Sequence, residues 1–200
     1  MGSASATSWN ATSAIKHYRY DAMDKKILGL YRPERITKEE IEQLPAAKLC
    51  RKFINGELAS DIESEAFDDI MCAVELAGEV INGGFNQYYY NSGGERAERA
   101  RNAFIKLGAN RIADIVKRAN EQYIAYRDEL YSVWDGTIKG FSNSYKKKVF
   151  DDFDREYYAL MKNEKQLYTL IGIYIKQHPQ EFLTKETESE RARIATERKE

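Results

Sequence analysis

SDIESEAFDDIMCAVELAGEVINGG, Ser60–Gly84, settles the fold class. Plotted at 100° per residue, Phe67, Ile70, Met71, Val74, Ala77 and Ile81 fall on one side of a helix, and Asp61, Glu65, Asp68, Asp69, Glu75 and Glu79 fall on the other. Ser60 and Glu63 stand at capping-box spacing, where a hydroxyl and a carboxylate satisfy backbone N–H groups that the first helical turn leaves free. The pattern predicts a helix running to about Asn82, with Gly83 as the left-handed residue that stops it.

The same signals recur on both sides. Upstream, helix formers fill Ile15–Leu30 before Pro33, Thr37 and Glu40 repeat the capping-box spacing, and Pro45 starts a short helix carrying Leu49 and Phe53 that Gly56 ends. Downstream, Ser92 and Glu95 give a third box. Ala97, Ala100, Phe104 and Leu107 then form one buried stripe, and Ile112, Ile115, Val116, Ala119 and Tyr123 form the next. Glycines and polar residues from Asp135 to Ser144 read as a loop. Two more helices follow, one with Phe150, Phe153, Tyr157 and Leu160 and one with Leu167, Leu170, Ile171, Tyr174 and Ile175, before Pro179. No run alternates apolar and polar residues long enough for a strand. The expected architecture is all-α: a single-domain bundle of about seven to eight helices over residues 15–183, with a mobile arm at 1–14 and a charged tail at 184–200.

Bulk properties exclude several function classes. At 200 residues the chain is long enough to bury a core without metal or disulfide staples. The longest apolar runs, LYTLIGIYI and MCAVELAGEVI, fall short of the roughly 20 residues that cross a bilayer, so no membrane role is expected. Residues 1–14 lack the basic start and apolar centre of a secretory signal. Cys50 and Cys72 have no zinc-ligand spacing and read as buried reduced thiols, which points to the cytoplasm. A net charge of −1 argues against a globally basic nucleic-acid binder and leaves only local charge segregation as an electrostatic device.

Catalytic patterns are weak. His17 and His178 belong to no metal-ligating motif, so neither a metal nor a cofactor is expected. Ser144–Lys147 satisfies S-x-x-K but lacks the companion motifs of that chemistry. Neighbouring acids such as Asp68 and Asp69, or Asp151 and Asp152, diverge by about 100° on a helix instead of converging on a substrate. The expectation is a protein without enzymatic activity.

The segment after the decisive helix, GGFNQYYYNSGG, holds two glycine pairs, three consecutive tyrosines and several amides. Two readings stand side by side. In one, Phe85 and the tyrosines plug an interhelical gap while Asn82, Gln87 and Asn91 satisfy free helix ends. In the other, tyrosines and amides form a recognition surface, or a small-ligand or enzymatic site lined by Asn82, Gln87, Tyr88 and Asn91. The run Asn82, Gly83, Gly84, Phe85, Gln87, Tyr88, Tyr89 and Asn91 reproduces an N-G-G-F-x-Q-Y-aromatic-x-N pattern, followed by LGA at Leu107–Ala109 and the closing FDDFDREYYALMKNEKQLYTLIGIYIKQHPQEF. Over about residues 61–182 the chain resembles the DNA-mimic protein nineteen family, a largely uncharacterised bacterial family. The resemblance implies an all-helical, non-enzymatic fold. In the family's named member the acidic surface of a dimer imitates DNA and occupies a transcription factor, so it also implies a homodimer and a DNA-binding protein as partner.

Mimicry needs carboxylates where a partner expects phosphates. Between Lys52 and Arg96 the chain has no Lys or Arg, and steps such as Asp61 to Glu65 and Glu75 to Glu79 advance about 6 Å along a helix. Asp61, Glu65, Asp68, Asp69, Glu75 and Glu79 are therefore the expected partner-binding row. Against it stand Arg96, Arg99, Arg101, Lys106, Arg111, Lys117 and Arg118, which follow at once. Folded beside the acids they would cancel them. That basic run also offers direct nucleic-acid binding, a reading the near-neutral whole-chain charge disfavours.

Overall fold

A computed structural model describes residues 38–54, 64–162 and 164–183. The expected arm, the helix at 15–30, the tail at 184–200, Thr37, Gly56, Asp61 and the Ser60–Glu63 box lie outside the described residues. Within them the protein is all-α, with eight α-helices: α1 (Lys38–Gln43), α2 (Ala46–Ile54), α3 (Glu65–Ser92), α4 (Ala97–Lys106), α5 (Asn110–Tyr131), α6 (Ile138–Ser144), α7 (Asp151–Leu160) and α8 (Glu164–Gln177). Short 3₁₀ turns follow α6 and α8.

Helix α3 is the axis of the domain. It packs on α4 and α7, α4 packs on α5, α5 on α7, and α8 closes against α1 and α2. One continuous core joins these layers, from Leu49 and Phe53 through Leu76, Phe85, Phe104 and Val116 to Tyr157 and Ile171. Where α8 crosses α2 there is no room for a side chain, since a Cβ on Gly172 would overlap the Ala46 carbonyl. Both cysteines are free and buried, and burial pushes the Cys50 and Cys72 thiols up, which keeps them protonated and unreactive.

Local chemistry explains the helix ends, and in three places it corrects the sequence reading. Helix α3 starts at Ser64, whose hydroxyl accepts the Phe67 N–H at 3.0 Å from an extended backbone. The Ser92–Glu95 box does not form. Ser92 is instead the last residue of α3; its hydroxyl donates to the Tyr88 carbonyl at 2.6 Å and accepts the Gly94 N–H at 3.1 Å, while α4 begins after Arg96 with no side-chain cap. The expected loop before Ser144 contains α6, because Thr137 accepts the Gly140 N–H at 3.0 Å and is itself held by Asp135 at 2.6 Å and 2.9 Å.

The third correction concerns the face of α3. Phe67, Met71 and Val74 are only half-buried and Ile81 is exposed, whereas Ala66, Asp69, Ile70, Cys72, Ala73, Leu76, Glu79 and Val80 are buried. A single amphipathic stripe describes a helix covered on one side. With α4 on one flank and α7 on the other, α3 is covered around most of its girth, and two acids go inside with it.

Candidate functional site

Gly83 does not stop the helix. Gly83 (φ −158°, ψ 26°) and Gly84 (φ 71°, ψ −178°) break it, and helical geometry resumes at Phe85 and continues to Ser92, so the tyrosine run is helical. The left-handed conformation belongs to Gly84, at a φ, ψ combination that is essentially reserved for glycine. A Cβ there would also overlap the Asp154 carboxylate.

A break of this kind strands backbone groups that would otherwise pair i to i−4. Side chains from α6–α7 satisfy them. Tyr158 donates its hydroxyl to the Val80 carbonyl at 2.6 Å, and Tyr145 donates to the Gly83 carbonyl at 2.7 Å. The Asp154 carboxylate accepts the Phe85 N–H at 2.7 Å. Three residues found 60 to 80 positions downstream thus staple the two halves of α3. Burial pushes Asp154 up to about 6, with the Asp151 charge adding to the rise and the Phe85 N–H opposing it.

The motif residues divide between core and clamp. Phe85, Tyr88 and Tyr89 are buried. Tyr89 stacks on Tyr123 with ring centres 4.3 Å apart and donates to the Asn120 side chain, and Phe85 meets Tyr157 edge to face at 5.8 Å. Asn86 is buried and donates to Ser144 at 2.8 Å, and Ser144 donates to the Phe141 carbonyl, so this serine is a structural link. Gln87 and Asn91 both donate to one oxygen of Glu79, at 2.7 Å and 2.8 Å, tying the turns after the break to the turn before it. Asn82 is exposed. Tyr88 thus lies in the core and Asn82 at the surface, and only Gln87 and Asn91 meet, on Glu79. A groove of about 420 Å³ between α5 and α7, lined by Asn110, Arg111, Asp114, Arg118 and Glu156 among others, shares no residue with the motif.

The acidic row does not stand as a solvated face. Asp69 is 5% exposed and Glu79 2%. Arg99 reaches Asp69 at 2.5 Å and Asp68 at 3.9 Å, Lys106 reaches Asp69 at 2.6 Å, and Arg96 reaches Glu75 at 3.0 Å. Burial alone would raise Asp69, but the hydrogen bonds and charges of Lys106 and Arg99 outweigh it and hold the carboxyl below the usual range. Its partners move the other way, Arg99 and Lys106 both being raised by the hydrogen bond to Asp69. Glu65 and Asp68 remain exposed. The reason is topological: α4 turns back along α3, and its cations land opposite the acids.

Among the described residues most of the basic run is occupied too, Arg111 being the exception. Arg101 pairs with Glu98, Lys117 with Glu121 at 3.3 Å, and Arg118 with Asp114 at 2.9 Å and Glu156 at 2.5 Å. His178 lies 3.4 Å from Glu181 at the end of α8. Among the described residues no three His, Cys, Asp or Glu side chains gather as a metal-holding group, and no helix is long and apolar enough to cross a membrane.

What sequence reasoning missed is the other half of the corner: Tyr145, Tyr158 and Asp154. Both tyrosines are partly exposed, at 38% and 42%, and so is Ile81, at 38%, between the two carbonyls they bond. No spacing rule links them to Gly83 and Gly84, although an aspartate in the first turn of α7 was a legible sign of a carboxylate poised to accept an N–H.

No curated protein and no solved structure shows significant similarity to the chain. Residues 63–178, a span that takes in α3 to α8, match the sequence profile described as DMP19-like protein, in agreement with the N-G-G-F-x-Q-Y corner and the helices that staple it. On that match, which spans more than half of its length, the chain belongs to the DMP19-like protein family.

Proposed function

We propose that the protein is a non-catalytic helical interaction module that binds a protein partner at the glycine corner of α3. The observation that carries this reading is the pair Tyr145 and Tyr158. Each donates its hydroxyl to a backbone carbonyl while the residue as a whole stays about two-fifths exposed. Rings held in this way are rigid amphipathic contact surfaces that lose little freedom on binding, and they flank an exposed Ile81 and Asn82. Pre-organised aromatics of this kind are what interface anchors are made of.

DNA mimicry, which the family resemblance implies, is the narrower form of the same reading and finds less support. Of the six carboxylates in the row, two are buried and Glu75 is paired, Asp61 lies outside the described residues, and Glu65 and Asp68 stay exposed. A DNA-binding regulator as partner and a second copy of the chain belong with that implication, and a cytoplasmic setting with the two free cysteines. Sedimentation of the full chain separates the dimer from the monomer.

The two surfaces are distinguished by immobilising the wild-type chain, an Ile81→Glu/Asn82→Arg variant and a Glu65→Lys/Asp68→Lys variant, then quantifying proteins retained from a bacterial lysate. Loss of a retained partner with the first variant and its persistence with the second is the expected result. The reverse pattern would return recognition to the acidic row.

A further inference from the structure

Glu79 is the least explained side chain of the corner. It is 2% exposed, and one carboxylate oxygen, Oε2, accepts from both Gln87 and Asn91. The other, Oε1, is buried and has no hydrogen-bond partner. No described Lys, Arg or His forms an ion pair with Glu79, in contrast to Asp69 and Glu75. A buried carboxylate oxygen without a donor is costly, so an arrangement that leaves one is expected to have a guest.

The chemistry of the surroundings narrows that guest. The donors of the Gln87 and Asn91 amides are turned to Oε2, so neither amide offers an N–H to Oε1. A carboxylate oxygen left without a donor takes a donor-only group. A guanidinium prefers to fork onto both oxygens of a carboxylate, and here one oxygen already carries two amide donors. A divalent metal ion of the calcium type would want several carboxylates, and no group of three metal-ligating side chains exists among the described residues. A primary ammonium, a compact point charge with three donors, fits a single free carboxylate oxygen. Of the two amides bonded to it, Asn91 is exposed and Gln87 is half-buried.

We infer that Glu79, beneath Gln87 and Asn91, is a binding site for a primary ammonium group, from either a free alkylamine or a lysine side chain. The inference goes beyond the interaction reading, because a small amine satisfies the site without any protein partner. Its test uses the purified chain alone, so the two readings fail separately.

The full chain is titrated with propylammonium while the side-chain amide signals of Gln87 and Asn91 are followed by NMR, with tetramethylammonium as a cation that has no N–H. Saturable shifts with propylammonium, contacts between its methylene protons and those amides, and roughly tenfold weaker binding in Glu79→Gln are expected, since a charged hydrogen bond is worth at least that factor. Parallel titrations with butane-1,4-diamine and with a lysine peptide, set against its acetylated form, separate the two sources. Tighter binding of either one supports the site and names its origin. Equal response to tetramethylammonium, no saturation, or no ligand contact with the wild-type amides would overturn the proposal. The wild-type contacts decide the matter even if Glu79→Gln fails to fold.

Discussion

The two halves of α3 solve the same problem with different chemistry. Before the glycine pair, Glu65–Asn82 carries five of the carboxylates, and the helix is joined to α4 by ion pairs from Arg96, Arg99 and Lys106. After it, Phe85–Ser92 has no charged residue at all and is held by aromatic packing and neutral donors. The break between them is stapled by Tyr145, Tyr158 and Asp154. A run of acids along one helix is therefore a poor guide to surface potential: the sign of a patch is decided by the helix that folds back onto it. Partly buried ion pairs of this kind add specificity to the packing even where their net stabilisation is modest.

The largest expected effect breaks the junction of the two halves. Gly84→Ala forces a side chain into a glycine-only conformation and onto Asp154, and is expected to cost about 3 kcal/mol or more in urea unfolding. An unchanged midpoint would mean that the break is not required.

Next comes the charged half. Asp69→Ala leaves Arg99 and Lys106 without their shared anion and should cost about 2–3 kcal/mol at neutral pH, reduced from the fully buried case because both cations are partly exposed. Since the Asp69 carboxyl is held below its ordinary value, the stability it contributes is present above the unfolded value of about 3.9 and is lost as pH falls through the folded one. The gap between wild type and Asp69→Asn should accordingly close on acidification. A gap that persists in acid would contradict the ion-pair origin.

On the neutral side, Tyr158→Phe keeps the ring but removes the donor to the Val80 carbonyl, with an expected loss of about 1 kcal/mol in the same assay. The break itself can be tested by titration. Asp154 is raised to about 6, so it favours the folded state fully below the unfolded value near 3.9, and that advantage is lost as pH rises through 6. The stability difference between wild type and Asp154→Asn should shift against the wild type across that window, opposite in sign to Asp69. A shift of the same sign would mean that the two carboxylates share one environment.

Much of this fold was legible in the residues. The stripes Ala97–Leu107 and Ile112–Tyr123 are buried as their spacing implied, because each belongs to a helix covered chiefly on one side. Helix α3 was legible as a helix but not in its facing, since burial from two flanks erases the single stripe on which periodicity depends. The glycine pair was readable as a special backbone site. Its nature as a break instead of a stop was not, because resumption of the helix relies on Tyr145, Tyr158 and Asp154, whose proximity only the tertiary fold creates. The motif's Gln87 and Asn91 were expected at free helix ends, and they instead share the Glu79 carboxylate, the backbone groups of the break being met by Tyr145, Tyr158 and Asp154. Glu79 lies on the far side of the break, where a face count placed it in solvent.

One measurement bears most directly on the claim that α4 cancels the acidic half of α3: a carboxyl-carbon NMR titration of Asp69 in the wild type and in an Arg99→Gln/Lys106→Gln variant. The account requires a midpoint below the ordinary aspartate value in the first and a rise in the second, where burial is left to act alone. An ordinary midpoint in the wild type, unmoved by removal of both cations, would show the acids to be uncancelled and would reopen the acidic row as the surface that partners read.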